Sequence, residues 1–163
     1  MGIMLPGELA GLLNELGYTW PKSDETKMFE LGQMWMEMAD SLHNAAAEGT
    51  AAAQRVLTGN QGDALTAFQE RWESDGSAMS VLRDGGTGAQ MVAATLFVCA
   101  LIVLALKINV IVQLVILLVQ IIQAIATAAP TFGASLLEIP VFKKLTDIVL
   151  NMLIDQAIGV VLG

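Results

Sequence analysis

The chain has 163 residues, 16 of them acidic and 8 basic, giving a net charge of -8. That length suits one domain with a real core rather than two large ones. The acidic balance, with no cluster of Lys and Arg, excludes nucleic acid as a partner, because phosphate binding by counterion release needs such a cluster. A hydrophobic fraction of 55% exceeds the roughly 45–50% of soluble domains, so membrane contact and an oligomeric interface are both open readings.

In chain order, Leu5, Leu9, Leu12, Leu13 and Leu16 recur at spacings of three and four and predict a short amphipathic helix stopped by Gly17. No basic residue precedes Lys22, so the start lacks the positively charged segment of a secretory signal peptide and export by the general route is not expected. Trp20-Pro21 leads into Ser23-Asp24-Glu25, a hydroxyl cap followed by acids that suit a helix N-terminus. The long helix starting there carries an apolar stripe of Met28, Leu31, Trp35, Met38, Leu42 and Ala45, continuing to Val56 like a coiled-coil seam. The extra methionines Met34 and Met36 make this helix suited either to core filling or to an adaptable partner groove.

Thr58-Gly59-Asn60-Gln61-Gly62 breaks the period and predicts a tight turn. A second stripe of Leu65, Phe68, Trp72, Met79 and Leu82 follows, weakened at Asp75-Gly76, so residues 1–84 read as an acidic antiparallel helical hairpin preceded by the short helix. Asp84-Gly85-Gly86-Thr87-Gly88 predicts a turn or linker.

Charge marks the same boundary: 18 of the 24 charged residues fall in 1–84, and residues 85–137 hold only Lys107. The third element is a long apolar helix within 85–129, with no Gly or Pro from Gln90 to Ala129. At 100° per residue, Asn109, Gln113, Gln120 and Gln123 share one face, a polar stripe that meets water in a soluble assembly or faces a lumen in a membrane. Pro130 ends this helix. Residues 130–163 hold Ile139-Pro140 and then an amphipathic helix over 141–161, too charged for an ordinary membrane span. The expected fold is all-α: a helical hairpin, a long apolar helix and a C-terminal amphipathic helix forming a bundle.

Chemistry is scarce in the pattern. His43 is the one histidine, without a second His or Cys at ligand spacing, which gives no metal site. Cys99, the one cysteine, lies in apolar surroundings and reads as a small buried hydrophobe. The acidic pairs sit on polar helix faces. No catalytic residue, cofactor site or small-molecule substrate is expected, and the chain reads as a non-enzyme.

The turn resembles the WXG-type helical hairpins of type VII secretion. Leu57-Thr58-Gly59 stands where the family has Trp-x-Gly, with Ala64, Phe68 and Trp72 following, and Gly62 completes the turn. A wider likeness, over residues 5–135, joins Leu16-Gly17, Trp20-Pro21, Asp24-Glu25, Trp35, Gly59, Phe68, Trp72, Lys107, Gln113 and Gln120. It is to the CpnT-like N-terminal domain of actinobacterial channel and polymorphic-toxin proteins. The resemblance implies a module that carries a toxin through a type VII-like route and pairs with another helical hairpin or with itself. It places the chain in the cell envelope or outside the cell, with membrane association open. Tyr18 is followed four residues on by Lys22, not an acid, so the family's tyrosine-x-x-x-acid export signal is expected from a partner or from a C-terminal extension.

Three functions follow. The first is an adaptor with Leu31, Trp35, Met38, Leu42, Phe68 and Trp72 as hairpin core or interface. The second is a channel or pore-forming element built on residues 91–129, and the third is a purely structural bundle.

Overall fold

The computed structural model describes residues 2–162. It is all-α, with no strand among the described residues: α1 (Gly7–Glu15), α2 (Glu25–Gly59), α3 (Asp63–Glu73), α4 (Ala78–Ala126), a short 3-10 turn (Ala134–Glu138) and α5 (Ile139–Leu162). The chain forms two compact units, one of Met1–Lys27 with Cys99–Gly163 and one of Met28–Val98. The long helices α2 and α4 contribute to both.

In the first unit, α1 ends at Gly17, whose φ of 87° is open to glycine without steric cost. The Tyr18 N–H reaches the Leu13 carbonyl at 3.1 Å and the Gly17 N–H reaches Asn14 at 3.0 Å, the paired bonds of a Schellman cap. That turn aims Leu9 and Leu13 inward, where they meet Val110 and Leu114 of α4 and Leu150 of α5. Burying each such leucine stabilises the unit by about 1.5–3 kcal/mol. α5 begins at Ile139 rather than after Pro140, because a proline in the first helical turn forfeits no intrahelical bond.

In the second unit, α2 and α4 run antiparallel. Phe29 stacks on Phe97 with ring centroids 5.9 Å apart, Gly32 also faces Phe97, His43 faces Gly86, Gly49 faces Met79, and Arg83 bonds Thr50 at 3.0 Å. Numbers rise on one helix as they fall on the other. The seam is made of small residues: Gly32, Ala39, Ala46 and Ala53, seven apart on α2, and Gly86, Ala89 and Ala93 on α4, all buried.

Two expectations are corrected here. The linker expected at Asp84–Gly88 is instead helix, because the stretch lies within α4, which starts at Ala78 and not at Gln90. Ser77 caps that start, its hydroxyl accepting the Ser80 N–H at 3.2 Å. Helical glycines cost about 1 kcal/mol each against alanine, yet Gly86 gives the His43 ring room that a Cβ would fill. The break falls earlier, at Ser74–Ser77, where Gly76 has a φ of 80°.

The second correction concerns the core. Leu31, Trp35, Met38 and Phe68 are exposed, and Leu42 and Trp72 are half-buried. The seam follows the small residues because only they let two helix backbones approach closely, and this turns the large apolar stripe outward. Cys99 is half-buried rather than enclosed.

Candidate functional site

The hairpin tip is built as the turn residues require. α2 runs to Gly59, Asn60 caps its end by donating from its side-chain amide to the Val56 carbonyl at 2.9 Å, and Gly62 takes a φ of 135° before α3. Leu57 is half-buried and borders, with Trp72 and Met79, a groove between the outgoing and returning helices of the hairpin. Phe68 and Trp72 stack on each other, centroids 5.4 Å apart, and α3 has no fully buried residue.

On α2, Leu31, Met34, Trp35 and Met38 stand at i, i+3, i+4 and i+7 and are 36–63% exposed. Four large side chains at that spacing make one continuous apolar face, the pattern by which a helix docks on a second helix or in a groove. The core-filling reading of Met34, Met36 and Met38 does not hold, since all three are exposed.

The polar stripe lies on the first unit's part of α4, with Asn109 and Gln123 exposed and Gln113 and Gln120 half-buried. A groove of about 250 Å³ beside Asn109, lined also by Leu106, Leu153 and Gln156, is smaller than the roughly 300–1,000 Å³ of ordinary ligand pockets. No group of His, Cys, Asp or Glu among the described residues could hold a metal ion.

Residue reading missed the densest polar feature. Lys107, the one charge in the apolar helix, is buried, 2.6 Å from Glu25 Oε2, and donates to the Ser23 carbonyl at 2.6 Å beneath the Trp20 ring. Glu25 also accepts the Ile3 N–H, and the Trp20 indole N–H donates to the Ile3 carbonyl at 3.2 Å. Asp24, not Ser23, caps α2 by accepting the Lys27 N–H at 3.2 Å. A lone lysine in an apolar run was the available signal, because such a charge must find a partner.

Burial, the strongest influence on Glu25, pushes its carboxyl up. Hydrogen bonds from Lys107, Ile3 and its own backbone N–H, with the lysine's charge, outweigh it and hold the group at about 2, below its usual 4.5. A depressed carboxyl contributes stability that is present above 4.5 and lost as pH falls through 2. E25Q is therefore expected to flatten the acid limb of stability between those values, measured by urea titration at stepped pH. An unchanged slope would show that Glu25 does not hold the pair.

Tyr18 is a packing residue in this unit. Its hydroxyl donates to Asp147 at 2.7 Å, and burial together with that acceptor pushes it up to about 12.

The sequence of residues 5–143 matches the model of the WXG100-like domain. The chain belongs to the WXG100-like domain family. Its members are non-catalytic secreted helical proteins that typically pair with partner helical hairpins, and membership associates the chain with type VII secretion. No curated protein and no solved structure matches it significantly. Of the residues that carried the wider likeness, Trp20, Glu25 and Lys107 meet in the buried ion-pair node, Trp35, Gly59, Phe68 and Trp72 lie on the hairpin, and Gln113 and Gln120 lie on the polar stripe of α4.

Proposed function

We propose that this chain is a non-catalytic export or adaptor module of a type VII secretion system, of the CpnT-like kind, that pairs with a second helical hairpin and delivers a toxin. One observation carries the reading: the hairpin keeps small residues for its own seam and presents Leu31, Met34, Trp35 and Met38 outward. A contiguous apolar face at helical spacing is what a helix presents to a partner helix or groove. The pairing leaves the tip residues Leu57, Gly59 and Gly62 to set the turn, and Phe68 and Trp72 to border the interface. The tyrosine-based export signal is then supplied by the partner or by a C-terminal extension, since Tyr18 is followed by Lys22 and is engaged with Asp147.

Co-expression with helical-hairpin proteins of the WXG type tests this. A stable one-to-one complex is expected, and L31E/W35E is expected to weaken capture at least tenfold while the helical circular dichroism is retained. Absence of a complex with the wild-type chain would reject the pairing.

A channel or pore-forming role is the second reading. It is favoured by the one stretch among the described residues, within Asp63–Ala126, whose apolar window is long enough to cross a membrane and only 22% buried. Full release of the chain by carbonate extraction would count against it.

A further inference from the structure

The outward side of α4 in the first unit carries a second, independent apolar pattern. Leu101, Ala105, Ile108, Val112, Val115, Val119, Ile122 and Ala126 follow one another at spacings of 4, 3, 4, 3, 4, 3 and 4, and every one is exposed. The six large residues among them are 43–56% exposed although the same helix buries Lys107, Val110, Leu114, Leu117 and Ala124 on another face. The strict alternation spans three and a half heptads, the length over which such a repeat marks a coiled-coil seam.

We propose that this seam packs against the same seam of a second copy of the chain. The period points to a helix as the occupant, because a 3.5-residue repeat keeps one line of side chains facing a supercoiled neighbour, whereas lipid imposes no period. Along one edge of the seam run Asn109 and Gln123, exposed amides that a bilayer core would leave unsatisfied and that stay hydrated at the rim of a helix pair.

Charge selects a copy over an unrelated helix. No seam or rim residue between Leu101 and Ala126 is ionised, and the one charge in the stretch, Lys107, is turned inward and paired with Glu25. Partner choice in heteromeric coiled coils is written in charged flanks, so a seam without any is complementary to itself. Alanines at 105 and 126 allow close approach, and β-branched Val112, Val115 and Val119 suit the central knobs. This site is separate from the α2 face and does not rest on the hairpin pairing proposed for it.

The test uses the purified full chain without detergent, by size-exclusion chromatography with light scattering. The wild type is expected at twice the 17.3 kDa monomer or a higher multiple, and V112E/V119E at the monomer mass with unchanged helicity. L31E/W35E, altered on the α2 face, is expected to keep the wild-type mass. Should the glutamates unfold the chain, Val115→Cys in a Cys99→Ala background is expected to cross-link to a covalent dimer under mild oxidation, and Lys144→Cys is not. A monomeric wild type, a V112E/V119E variant that keeps the oligomeric mass, or recovery only with phosphatidylcholine vesicles would overturn the proposal. Loss of mass in L31E/W35E alone would do the same and leave the hairpin pairing standing.

Discussion

K107M is expected to lower the stability of the chain by about 3–5 kcal/mol, because removing one partner of a buried ion pair leaves the other charge uncompensated. Glu25 would keep its burial and lose both the ammonium and its strongest hydrogen bond, so its carboxyl would rise from about 2 to above the usual 4.5. Against the 5–15 kcal/mol of a typical domain, the loss is a large share of the total. The double variant E25Q/K107M is expected to recover more than half of it. Glutamine still accepts the Ile3 N–H and buries no charge, and buried pairs exchanged for neutral groups often cost little. Urea titration at pH 7 decides the matter. A K107M loss under about 1 kcal/mol would mean that water reaches the pair, and a double variant no better than K107M would assign the cost to lost lysine packing instead.

What the sequence made legible was what depends on local rules. Gly17 after a leucine repeat, the start of a long helix just after Ser23-Asp24, the Gly59–Gly62 turn and the reversal after it each follow from backbone preferences that neighbours do not override, although the capping side chain is Asp24 and not the expected Ser23. The family likeness was legible from the sequence, and the family match covers residues 5–143 despite Leu57 in the tryptophan position. What was not legible depended on which of two adequate faces a helix buries. On α2, Leu31-Trp35-Met38 and Gly32-Ala39-Ala46-Ala53 both repeat at helical spacing, and hydrophobicity favours the first. The opposing helix settles it, since Phe97 and Met79 of α4 pack over Gly32 and Gly49 of α2, and His43 of α2 over Gly86 of α4, where a Cβ would already clash. The same tertiary effect turned Gly85–Gly88 from an expected linker into helix. The Lys107–Glu25 pair was hidden for another reason, as it joins residues 82 apart and no periodicity connects them.

Because the α2 seam is set by small residues, enlarging one of them is expected to do more harm than truncating a large neighbour. Ala46 is 2% exposed, and A46L adds three carbons at this enclosed position of the seam, so a loss of about 1–3 kcal/mol or more is expected as the helices part. Trp35, one-third exposed on the outward face, should tolerate W35A with a loss near 1 kcal/mol or less in the isolated chain. By hydrophobicity alone the order would be reversed, with the tryptophan costing about 3–5 kcal/mol as a core aromatic. Thermal or urea unfolding of the two variants side by side therefore reads which face of α2 is inside. If W35A proved the more damaging with no partner present, the large apolar face would be core and the pairing surface assigned to it would not exist. If A46L proved the more damaging, Leu31, Met34, Trp35 and Met38 would be free to serve a partner, and W35A should then weaken capture of that partner far more than it weakens the fold.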